Sequence, residues 1–133
     1  MIIMIEKIYR ELRWYAGREG NFTTIFANDN DYEYYHEGKV QITRRKIRKN
    51  GEVIDILLEK GECCKGSTLE TSQLKDYNVD YREVRENIIH KILTIYLKDG
   101  SLVMLAAECM DKGDQRETDV ELSDEYIRYL FGL

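Results

Sequence analysis

The chain has 133 residues, 43% of them hydrophobic and 34% charged, with a net charge of −5. That is the length of one domain, sufficient for a core without metal or disulfide staples, and the composition is too apolar for a disordered segment. No apolar run reaches the ~20 residues of a membrane-spanning helix, and residues 1–5 (MIIMI) meet Glu6 and Lys7 too early for a signal peptide, so a cytoplasmic protein is expected.

Residues 3–16 carry Ile5, Ile8, Tyr9 and Leu12 at the spacing of one helical face. Glu6 and Arg10 form an i,i+4 pair, and Gly17 stands where a helix C-terminus ends. A helix is favoured over the competing strand with Ile8, Leu12 and Trp14 on one side. Residues 22–27 (FTTIFA) are rich in β-formers. Residues 32–36 read as the next strand, with Glu37-Gly38 as a tight turn into Lys39.

Asn50-Gly51 lies between two extended runs and predicts a two-residue hairpin turn, because both residues tolerate positive φ. That turn would oppose Lys49 to Glu52, Ile47 to Ile54, Lys46 to Asp55 and Arg45 to Ile56. One face then holds Ile47, Ile54, Ile56 and Leu58, and the other Arg44, Lys46 and Arg48 with Asp55 and Glu59 beside them.

Residues 61–78 read as a long polar connection, and residues 80–87 as a short helix with Asp80 as N-cap and Glu83 in the capping-box position. A second hairpin centred on Asp99-Gly100 would pair Leu97 with Leu102, Ile95 with Met104, Leu93 with Ala106 and Lys91 with Glu108. It is apolar on both faces and reads as the centre of the fold. After a charged loop, Ser123 caps a final helix that has Asp124 and Glu125 in its first turn and presents Ile127, Leu130 and Phe131. The expected fold is therefore α+β: one domain over residues 1–133, an antiparallel meander of hairpins with N-terminal and C-terminal helices.

Familiar catalytic signatures are missing: there is no P-loop, dinucleotide fingerprint, HExxH or CxxC. Two histidines, His36 and His90, are too few for a multi-histidine metal site. Asp29, Asp31 and Glu33 begin like a calcium loop, but Tyr34 and Val40 stand where glycine and a bidentate acid belong. No cofactor and no metal are expected. The three cysteines, Cys63, Cys64 and Cys109, are odd in number, and the adjacent pair is badly placed to bridge, so reduced thiols are expected. Cys63 with a histidine would make a nucleophile pair only if the fold brought them together; His90 is expected to pack opposite Cys109.

The charge is unevenly spread. Lys39, Arg44, Arg45, Lys46, Arg48 and Lys49 fall between Gly38 and Gly51 with no acid among them, while the rest of the chain is strongly acidic. That excludes sequence-blind coating of DNA. Alternate strand residues are ~6.6–6.8 Å apart, so Arg44, Lys46 and Arg48 would form a row near the spacing of successive phosphates. With Tyr32 and Tyr35 to stack a base, they form a candidate ligand site. Asp29, Asp31, Glu33 and Tyr34 form a candidate partner-binding surface. The competing possibilities are that Asp55 and Glu59 neutralise the row and that the tyrosines are partly core.

The expected function is a small non-enzymatic binding protein. Its proline-free, tyrosine- and acid-rich character suggests a phage or other mobile element. Through residues 29–48 it would bind and neutralise a host component, either a protein partner or a nucleotide-like phosphate ligand, as an anti-defence inhibitor does. The alternatives are a homo-oligomeric assembly protein, given Tyr126, Ile127, Tyr129, Leu130, Phe131 and Leu133 near the C-terminus, and an enzyme of unrecognised type.

Overall fold

The computed structural model describes residues 3–26, 33–49 and 51–110. Helix α1 (Met4–Tyr15) precedes seven strands: β1 (Glu19–Ile25), β2 (Glu33–Arg48), β3 (Gly51–Lys60), β4 (Cys63–Glu70), β5 (Leu74–Arg85), β6 (Ile88–Leu97) and β7 (Leu102–Met110). They form one antiparallel sheet in the order β4-β3-β2-β1-β7-β6-β5. This corrects the expected α+β meander flanked by two helices: the described residues are mostly sheet, with a single, N-terminal helix. The expected final helix and the apolar C-terminal cluster lie outside the described residues.

The helical periodicity of residues 3–16 is borne out. Ile8, Leu12 and Tyr15 are completely buried on one face of α1. Gly17, at φ 86°, carries the chain away from the helix, and its N–H donates to the Val40 carbonyl at 2.8 Å. The helix lies on the inner face of the sheet, where alternate residues Phe22, Val40, Ile54, Ile56, Leu58, Leu93, Ile95, Val103 and Leu105 form the core. The sheet curls far enough that Leu69 of β4 belongs to the same core as Val103 of β7. At the C-terminal end of α1 the Tyr15 hydroxyl donates to the Lys91 carbonyl at 2.8 Å. Lys91 itself is 7% exposed, paired with Glu11 at 3.0 Å and lying over the Trp14 ring at 4.7 Å. Such a buried ammonium is held only because charge and ring faces replace its water.

Residues 80–87 form strand and turn instead of a helix. Val79 and Tyr81, two residues apart, pack towards the core while Arg82 faces solvent, as successive strand residues do. The acids read as helix caps bond locally: Asp80 accepts the Tyr81 N–H at 2.9 Å, and Glu83 accepts the N–H of Asn87 at 3.4 Å. Asn87, at φ 64°, makes the turn into β6. The supposed polar connection of residues 61–78 is made of β4, an edge strand, a short 3-10 turn at Thr71–Gln73 and the start of β5. It reads as polar because Leu69 is its one buried apolar side chain before Leu74.

The β6–β7 hairpin stands where predicted, one residue out of the expected register. Residues 98–100 form a three-residue loop with Gly100 at φ 91°, closed by the Gly100 N–H to Leu97 carbonyl bond at 3.0 Å. Ile95 therefore pairs with Val103, Leu93 with Leu105 and Lys91 with Ala107. A one-residue slip exchanges the faces of a strand, so Val103, Leu105, Ala107 and Cys109 are buried instead of Met104 and Ala106. His90 consequently opposes Glu108, not Cys109.

No turn occurs at Glu37-Gly38, since β2 runs straight through it. Gly38 pairs with Gly20 and has φ 152°, and a Cβ there would collide with the backbone of Glu59. Only glycine lets β3 approach β2 so closely. Gly38→Ala is expected to cost roughly 2 to 4 kcal/mol, strain and overpacking together. Gly61→Ala has φ 61° but open space around it and should cost about 1 kcal/mol. Urea unfolding of the two variants checks the difference; equal costs would contradict the close approach.

Candidate functional site

The β2–β3 hairpin decides where the cations go. Arg48 pairs with Gly51, the last pair before the turn. Lys46 pairs with Glu52, which leaves Ile47 as an extra residue, a bulge. Moving the turn by one position alone would shift partners by two and leave every side chain on its expected face. The bulge shifts them by one more and reverses the faces. Arg44 then opposes Ile54, and Arg45 opposes Val53, in place of the expected partners.

Arg44 is therefore turned to the inner face, beneath α1. Its Nη2 donates to Glu6 at 2.7 Å and its Nε to Glu52 at 2.6 Å, with the guanidinium 5.1 Å from the Tyr9 ring. The fork is shared between helix and sheet, a geometry lysine does not reproduce. Hydrogen bonding to Arg44 holds the Glu6 and Glu52 carboxyls below their ordinary range, and the same bonds push the Arg44 guanidinium up. Arg45 faces outward and pairs with Asp55 at 2.6 Å; Asp55 also accepts the Thr68 hydroxyl at 2.6 Å. Its carboxyl is held low by Arg45 first and Thr68 second. Glu59 accepts from Gln41 at 2.6 Å. The single outward row of Arg44, Lys46 and Arg48, answered by Asp55 and Glu59, is thus corrected: Arg44 is answered by Glu6 and Glu52, and Asp55 by Arg45.

Two cations remain at the tip. Arg48 and Lys49 form no ion pair among the described residues, and Lys46 faces Glu52 across the hairpin. Arg48 and Lys49 border a groove of about 470 Å³ with Ile5, Ile47, Glu52 and Glu70. Ile47, released from the sheet by the bulge, is 40% exposed. Cations and an exposed apolar side chain converge here in the way a recognition surface needs.

Of the other candidates, Glu33, Tyr34 and Tyr35 begin β2, Tyr34 opposite Thr24 and Tyr35 opposite Thr23. Asp29, Asp31 and Tyr32 lie outside the described residues. His36 and Cys63 line one cavity of about 330 Å³ together with Lys60 and Lys65, and Lys60 is itself ion-paired with Glu37. His90 lines a different groove, with Glu19 and Glu108. Among the described residues there is no cluster of three or more metal-ligating side chains, and no helix long and apolar enough to cross a membrane.

Glu6, Glu52 and Lys91 escaped sequence reasoning. Glu6 was accounted for by Arg10 on its own helix, and Glu52 by a register that opposed it to Lys49. For Lys91 a signal existed: it is the one cation inside the apolar run of β6.

No family model matches this chain, and no curated protein matches it. Among solved structures it is similar to the pleckstrin homology (PH) domain of USP37, at 18% identity and a TM-score of 0.38, over 84% of this chain and 95% of that one.

The Arg44 bridge carries a pH signature. Both carboxyls are lowered from the ordinary value of 4.5 in the folded protein, so their contribution is complete above that pH and is lost as pH falls through the lowered values. Arg44→Met is expected to be less stable than the parent at neutral pH, with the two curves converging on acidification. Thermal unfolding across that range checks it; a constant gap at all pH values would contradict the bridge.

Proposed function

We propose that this chain is a small non-enzymatic binding module whose contact surface is the tip of the β2–β3 hairpin, and that its partner is an acidic protein segment with at least one apolar side chain. The observation that supports this most is the division of the basic tract. Arg44 and Arg45 are committed to Glu6, Glu52 and Asp55, whereas Arg48 and Lys49 keep their charge beside exposed Ile47. Carboxylates of the partner would meet Arg48, Lys49 and Lys46, and its apolar group would cover Ile47 and Ile5. Glu52 and Glu70 on the same groove disfavour densely anionic ligands and so supply selectivity. A nucleotide-like phosphate ligand held by Arg44, Lys46 and Arg48 with Tyr32 and Tyr35 is the weaker form, because Arg44 already has two carboxylates.

Asp29, Asp31, Glu33 and Tyr34 join the proposal from their place in the sequence just ahead of this hairpin, as a second contact to a basic part of the same partner. A module of this kind acts by occupancy. That mode suits a phage-borne inhibitor that neutralises a host protein and needs no turnover.

A displayed peptide library tests the reading. Acidic segments with an interposed apolar residue are expected to be enriched on the parent protein and lost on Arg48→Glu with Lys49→Glu. Arg45→Gln, on the opposite face, should retain them. Binding should weaken as salt is raised, since the pairs are exposed. Enrichment that is unchanged by the double reversal would overturn the proposal, and so would a nucleotide-like anion that copurifies and depends on Arg48.

A further inference from the structure

Strand β5 ends the sheet and pairs with β6 alone among the described residues. What its outer edge offers follows from the direction of the main chain. On β2 an inward residue turns its polar groups towards β1: the Val40 N–H donates to the Arg18 carbonyl, and the Val40 carbonyl accepts the Gly17 N–H, both at 2.8 Å. Strands alternate in direction across an antiparallel sheet, so β5 runs the same way as β2. For L-residues, strands that share direction and inner face also share the side to which inward residues point N–H and C=O. Tyr77, Val79 and Tyr81, whose side chains pack inward, therefore point these groups outward past the last strand. The N–H groups of Tyr77 and Tyr81 agree with this. Each donates to the carboxylate of the preceding residue, Asp76 at 2.8 Å and Asp80 at 2.9 Å.

We infer that this edge pairs with the same edge of a second copy of the chain, antiparallel about a two-fold axis at Val79. Val79 then faces its own copy and Tyr77 faces Tyr81 of the second copy, each pair exchanging two main-chain hydrogen bonds. On the outer face Asp76 lies opposite Arg82 of the second copy and Asn78 opposite its Asp80. The two-fold repeats both contacts, as an isologous interface requires. Pairing of β5 with β6 is regular from Asp76 to Glu83, the stretch this register uses. Charge selects the register. A two-fold at Asn78 would set Asp76 against Asp80, and one at Asp80 would set that carboxylate against its own copy. A pattern complementary to itself in one register and repelled in the next on either side favours a second copy over an extended peptide of other sequence. In the single chain the two carboxylates satisfy the Tyr77 and Tyr81 N–H groups and guard the edge against indiscriminate pairing. On pairing, carbonyls of the second copy take over those groups and Asp76 turns to Arg82. The contact Arg82 gives up, to Asp80 at 3.5 Å, is exposed and worth little.

Sedimentation velocity of the full chain tests this, and a reversible dimer is expected. Arg82→Asp and Asp76→Arg each set like charges against one another in both pairs and should weaken the dimer about tenfold. An equimolar mixture of the two variants restores opposite charges at both places and should recover the parent affinity as a heterodimer. Amide exchange at Val79 should slow as the parent is concentrated. A chain still monomeric at ~1 mM, the weak end of specific association, would overturn the inference. So would a dimer that both variants leave intact, which places it on another surface, or a mixture that stays as weak as its components. Val79 exchange independent of concentration would overturn the edge assignment.

Discussion

The guanidinium of Arg44, shared between Glu6 on the helix and Glu52 on the neighbouring strand, is the contact on which the charge layout depends. One extra residue, Ile47, makes it possible, because the bulge turns Arg44 from the outer face to the inner. The consequences follow in order. The N-terminal part of α1 is tied to the β2–β3 hairpin. The cation best placed for an outward row is removed from the surface. Ile47 is displaced from the sheet and left beside Arg48 and Lys49 at the tip. Each of the three atoms groups in the bridge is partly exposed, so it fixes position and register more than it adds stability.

The other end of α1 is held by different chemistry. The Tyr15 hydroxyl donates a buried hydrogen bond to the Lys91 carbonyl, Glu11 pairs with the Lys91 ammonium, and Trp14 lies against that ammonium and edge-on to Tyr15, with ring centroids 4.9 Å apart. Burial pushes the Tyr15 phenol well above its ordinary range, so the hydroxyl remains a donor. Between these two anchors Ile8 and Leu12 fill the space over Phe22, Val40 and Leu93. Helix and sheet are thus joined by polar contacts at both ends of an apolar seam, and the cationic groove lies at the tip of the β2–β3 hairpin.

Much of this was legible in the sequence, and what was not has identifiable causes. The 3.6-residue spacing of Ile5, Ile8 and Leu12 announced the helix, and both hairpins stand where Asn50-Gly51 and Asp99-Gly100 placed them, give or take a residue. Register was the quantity beyond reach. Gly100 serves as the last residue of a three-residue loop and Ile47 as a bulge, and neither choice leaves a mark in a list of apolar and polar residues. Because side chains alternate with period two, an error of one residue in each case exchanged the inner and outer faces. Glu83 and Asp80 misled for another reason: acids that cap helices also cap turns. Of the candidate site, the basic tract itself was legible, while its partition into committed and available cations required Glu6, thirty-eight positions away from Arg44.

The most direct test is the register of the β2–β3 hairpin in solution, read from cross-strand NOE contacts. Contacts joining Arg44 to Ile54 and Lys46 to Glu52 are predicted, with Ile47 opposite no residue. Contacts joining Ile47 to Ile54 and Lys46 to Asp55 would place Arg44 on the outer face, dissolve the bridge to Glu6 and contradict the account.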